Sequence, residues 1–155
     1  MEVQPKRPTV KGPAETFTGD VWVDMIAHGE PPSRLRVGIV RFSPAAHTAW
    51  HRHVNGQTLH VIDGRGLVQC RNGQVLQVGP GDTIYTPPGE WHWHGAAPGH
   101  FMTHLAMSGD LADGQQGPAT EWGDHLTDAE YPAIDPNSRH TPSPPTQTND
   151  REEKP

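Results

Sequence analysis

The chain is poor in most of what stabilises a small fold. Its one cysteine, Cys70, has no partner within the chain, so no internal disulfide forms and the residue reads as inert and buried. Hydrophobic residues make up 32% and aromatics 6% of the 155 residues, which argues against a helical bundle. No apolar run approaches the ~20 residues of a membrane helix, and no charged start followed by an apolar stretch marks a signal peptide. These absences predict a soluble cytoplasmic protein without membrane contacts. Lys and Arg number 12 against 18 Asp and Glu, a net charge of −6. No basic cluster interrupts that balance, which excludes nucleic acid as an expected partner.

Glycine and proline, at 17 each, are plentiful, and the length suits one domain. Residues 1–19 are polar and Pro-rich and read as an N-terminal arm with a short pairing strand near its end. Val21–Ile26 and Leu35–Phe42 read as strands around a turn at Gly29–Ser33. Thr58–Ile62 stops at the tight-turn signal Asp63-Gly64-Arg65-Gly66. Leu67–Cys70 and Gln74–Val78 flank Arg71-Asn72-Gly73, a hairpin signal. Thr83–Thr86, Trp91–His94 and Phe101–Met107 complete the series. Short strands at this spacing predict an all-β fold, a small antiparallel barrel or sandwich. One short helix is expected over Asp124–Tyr131, capped by Thr127. Residues 135–155 have almost no large apolar side chains and read as a disordered tail. The domain is accordingly placed at 20–134.

The 11 histidines are the unusual feature. His51 and His53 are two apart, so in a strand both face one side. Gln57 follows after Gly56, where the chain can turn. His92 and His94 repeat the alternation with Trp91 and Trp93 on the opposite face, as packing or dimer contacts. His104 sits in the next strand. Imidazole nitrogens and a carboxamide oxygen suit a first-row divalent ion. His51, His53, Gln57 and His92 form such a set, with open positions for water or substrate, as in a catalytic metal site. His28, His100, His125 and His140 are expected in loops or on the surface, and His47 at the barrel mouth.

These residues resemble the cupin superfamily. Its first motif appears as His51, His53, Gln57 and Gly64, and its second as Gly81, then Pro87-Pro88-Gly89, then His92. Ala45 and Ala96 depart from the motif glycine and asparagine. Gln57 replaces the usual glutamate, keeping an oxygen donor while removing a negative charge, so the site should polarise a bound oxygen more strongly. The resemblance implies a conical, jelly-roll-like barrel with a metal inside. The stretches Thr48–His51, Gly56–Leu59, His92–Pro98 and Met102–Ala106 further resemble small bacterial manganese-dependent cupins that act as (R)-selective hydroxynitrile lyases. That likeness implies Mn2+, with Fe2+, Ni2+ or Zn2+ as alternatives, and a small-molecule cyanohydrin as substrate. It implies a catalytic role for His94 or His104, and an apolar pocket of Val40, Phe42, Trp50, Leu59 and Val61. A homodimer or homotetramer is expected. Two rival readings remain: a cupin-type iron or manganese dioxygenase, and a non-catalytic metal- or ligand-binding module.

Overall fold

A computed structural model describes residues 1–71 and 73–131. All regular structure in it is strand. Two short strands, β1 (Val10–Lys11) and β2 (Phe17–Thr18), come first. Then follow β3 (Val21–His28), β4 (Leu35–Phe42), β5 (His47–Thr48), β6 (His51–His53) and β7 (Gln57–Gly64). The chain continues through β8 (Gly66–Cys70), β9 (Leu76–Val78), β10 (Thr83–Thr86), β11 (His92–Ala96), β12 (Met102–Gly109) and β13 (Thr120–Trp122).

Two antiparallel sheets result. One has the order β1-β3-β4-β12-β7-β10. In the other, β11 lies between β8, which continues to β9, and the β5–β6 stretch, whose other edge carries β2 and β13. The sheets curl over a shared core that includes Val21, Phe42, Leu59, Val61, Val68 and Met102. The expected strands are present, and β4 and β10 have the predicted bounds. The segment read as an arm contributes β1 and β2, one to each sheet.

One expectation is sharpened and two are corrected. The tight turn at Asp63–Gly66 carries the chain from one sheet to the other: β7 pairs with β10 and β12, while β8 pairs with β9 and β11. Gly64 makes the crossing possible, because at φ +83 its missing Cβ leaves room for Phe101 O, which a Cβ would strike at 1.9 Å. No helix forms over Asp124–Tyr131. The cap signal is present, with Thr127 N and Oγ1 both donating to Glu130 Oε2 at 2.8 and 2.9 Å, yet only one turn follows. Leu126 and Tyr131 are instead held against a second cluster on the outer face of β11, built from Trp50, Leu67, Trp93 and Ala97. Tyr131 O–H also donates to Ala96 O at 2.7 Å. Finally, His47 does not line the barrel mouth. Its ring stacks on Tyr131 at 4.6 Å beneath this outer layer. Asn72, His140 and the predicted tail lie outside the described residues.

Candidate metal centre

Strand alternation carries the site. In β11, His92, His94 and Ala96 face the interior, while Trp93 is packed in the outer cluster. Pairing of His92 with His51 in β6 brings the two His-x-His segments side by side. Between them Gly56, at φ +76, reverses the chain so that Gln57 enters β7 pointing inward; a Cβ there would sit 2.9 Å from Thr86 O.

One ring nitrogen from each of His51, His53 and His92 lies within 4.8 Å of the other two, and all three residues are buried. Their opposite nitrogens are anchored. His51 Nδ1 meets Ala49 O at 3.0 Å, His92 Nδ1 meets Glu90 O at 2.9 Å, and His53 Nδ1 meets Thr120 Oγ1 at 3.0 Å. The two carbonyls accept only, so His51 and His92 carry their protons on Nδ1 and present bare Nε2 lone pairs to the centre. His53 Nε2 is buried with no hydrogen-bond partner. Gln57 Oε1 lies 2.9 Å from His92 Nε2, two acceptors facing each other. That contact is repulsive until a cation joins them or the amide turns over. Two adjacent ligands at ~2.1 Å from one ion stand about 3 Å apart, which the pair matches. The donor set therefore fits a divalent metal.

Burial keeps these rings neutral. Desolvation holds His51 well below the ordinary imidazole range, lowers His92, and takes His53 down to about 4. Neutral imidazole is the form that binds metal.

Behind the donors lies the second pair. His104 Nε2 is 3.2 Å from His94 Nδ1, and Phe42 packs on both rings at 5.4 and 5.8 Å. Both histidines are depressed by burial, His104 to about 4. His94 lines the cavity above the metal site and His104 does not. That cavity, of about 220 Å³, is also bounded by Phe17, Met25, Arg36, Val40, Ser108 and Trp122.

A Cupin domain family model matches residues 38–105. Over 121 residues the chain is 46% identical to an (R)-mandelonitrile lyase from Granulicella tundricola, covering 78% of this chain and 89% of that protein. The chain belongs to the cupin superfamily. A cupin-like protein of Thermotoga maritima superposes with a TM-score of 0.72 at 36% identity, covering 84% of this chain and 95% of its own. A cupin 2 conserved barrel domain protein of Rhodopseudomonas palustris shares the fold, with a TM-score of 0.58 at 18% identity over 70% of this chain and 75% of that one.

Within this cupin barrel the expected pocket residues separate by depth. Val40 lines the cavity. Phe42 lies against His94 and His104, while Leu59 and Val61 are in the core. Trp50 does not face the cavity, because the bend between β5 and β6 turns it into the outer cluster beside Trp93. Among the other histidines, His28 Nε2 pairs with Asp110 at 2.9 Å and His125 Nδ1 with Thr18 at 3.1 Å. Cys70 is half-buried, and burial with the neighbouring Glu90 pushes its thiol up to about 11. The sequence reading overlooked Phe17, Met25, Arg36, Thr120 and Trp122. Arg36 was within reach: it shares the strand parity of Val40 and Phe42. The others enter through β2, β3 and β13, whose positions depend on pairings that local sequence does not encode.

Proposed function

We propose that this cupin is a metal-dependent carbon–carbon lyase of the hydroxynitrile-lyase type, cleaving aromatic cyanohydrins reversibly to aldehyde and cyanide. The carrying observation is a neutral donor set of His51, His53, Gln57 and His92, three of whose members line the same small cavity as His94, itself backed by His104. The 46% identity to a mandelonitrile lyase supports the reaction type. A divalent ion held by that set, Mn2+ foremost, would supply Lewis acidity that lowers the pKa of a substrate hydroxyl.

The remaining roles belong to the chain. His94 is the general base, since it lines the cavity and is neutral. In the tautomer where His94 Nδ1–H donates to His104 Nε2, the His94 Nε2 lone pair is left to take the hydroxyl proton. His104 then acts through His94, holding that tautomer and sharing the charge of the imidazolium. Val40 and Phe17 supply apolar wall. Run in reverse, the same arrangement adds a carbon nucleophile to an aldehyde, so nitroaldol chemistry falls within its reach. The exposed Trp22, Leu35, Ile62 and Tyr85 support self-association as a dimer or tetramer, and the proposed setting is the cytoplasm.

Metal analysis of purified protein, paired with cyanide release from (R)-mandelonitrile under strict anaerobiosis, tests the reading. Stoichiometric metal and oxygen-independent turnover are expected. Activity that appears only with oxygen would replace it with the dioxygenase, and bound metal without turnover of either kind would leave a binding module.

A further inference from the structure

The cavity wall carries one formal charge. Arg36, on the interior side of β4, lines the same space as His51, His53, Gln57 and His94. Among the described residues no aspartate or glutamate lines it. The donor set is three imidazoles and a carboxamide, so nothing in it offsets the charge of an ion. Such a chamber, with neutral and apolar walls and a guanidinium, is complementary to an anion.

Asp110 engages Arg36 without consuming it. Arg36 Nη1 donates to Asp110 Oδ1 at 3.0 Å, and the other carboxylate oxygen meets His28 Nε2 at 2.9 Å. This uses one of the five N–H donors of a guanidinium. It ties the group down from the rim and leaves the rest of its planar fork for a second carboxylate. Arg36 is near enough to the donor set that its charge helps keep His53 unprotonated.

We infer that the cavity selects small hydroxy acids, the carboxylate docking on Arg36 while the hydroxyl-bearing carbon lies between the histidine donors and His94. This goes beyond the lyase reading and shares with it only the premise that this cavity is the substrate site. It separates the natural ligand from neutral cyanohydrins, which bring no carboxylate to the part of the Arg36 fork that Asp110 leaves open.

The test is ligand binding to the metal-loaded protein, read by intrinsic fluorescence, because Trp122 lines the cavity with its ring 4.7 Å from that of His51. The probes are 3-hydroxybutyrate and its neutral counterpart 1,3-butanediol. Wild type should bind the acid at least ~10-fold more tightly, in line with a charge-assisted contact. Arg36→Gln should bring the two to parity, and Arg36→Lys should restore part of the preference. Equal affinities in wild type, or an undiminished preference in Arg36→Gln, would overturn the inference. If Arg36→Gln fails to fold, Arg36→Met decides: without the charge the two probes should bind alike, and an undiminished preference for the acid counts against Arg36. Stronger competition by inorganic phosphate than by 3-hydroxybutyrate would overturn the carboxylate assignment. Cyanide release from mandelonitrile on the same sample keeps the two readings apart. Acid preference without cyanide release removes the lyase and keeps the hydroxy-acid site, and the opposite pair of results does the reverse.

Discussion

Acidifying the metal-free protein should destabilise it through His104. This ring is completely buried, and desolvation lowers its pKa from 6.5 to about 4. The depressed group is a base, so between those values the unfolded chain binds a proton that the folded chain refuses. Stability from this source is unaffected above pH 6.5, falls as pH drops, and levels off below pH 4. At 1.36 kcal/mol per unit, the full penalty is about 3 kcal/mol, of which roughly 2.5 kcal/mol is felt by pH 4.5. Against a total stability of ~5–15 kcal/mol for a domain, that is a large share. The assay is urea denaturation of chelator-treated wild type and His104→Gln at pH 7 and pH 4.5. Gln cannot titrate, so the variant should lose roughly 2 kcal/mol less than wild type over that interval. An identical loss in both proteins would refute the reasoning, because His104 would then titrate alike in the folded and unfolded chains.

Other outcomes follow from the same geometry. His53→Ala should lose most of its bound metal by elemental analysis while staying folded by circular dichroism, since its Nε2 is a central donor with no other partner. Gln57→Glu should retain metal more tightly during dialysis against chelator, because a carboxylate adds charge where Oε1 meets His92 Nε2 at 2.9 Å. Gly95→Ala should lower stability by about 2–3 kcal/mol in thermal or urea unfolding. The new Cβ would lie 2.4 Å from His47 Cβ and 2.5 Å from Ala46 O, and backbone cannot yield cheaply.

Much of the barrel is legible locally, and the reasons are specific. Leu35–Phe42 and Thr83–Thr86 end at Ser43-Pro44 and Pro87-Pro88, where proline stops the ladder. The two His-x-His pairs announce themselves because alternation alone sets their facing. Elements whose state depends on distant packing are not legible. Thr127 and Glu130 form their local cap, but Trp93 and Ala96, far away in sequence, hold Leu126 and Tyr131 to the outer layer and leave no helix. Trp50 looked like pocket wall until the bend before His51 turned it outward, and Thr120 and Trp122 reach the site only through the β13–β6 pairing.

His51 and His92 each bond the carbonyl two residues before themselves, at Ala49 and Glu90. The aim of both rings is thus written into the same short stretches that form the strands, and is complete once β6 and β11 have zipped together. An ion arriving later meets a receptacle already shaped and gathers no scattered ligands from solution. Stripping and reloading the metal should therefore be a quick, reversible exchange, distinct in time from the slower making and unmaking of the barrel.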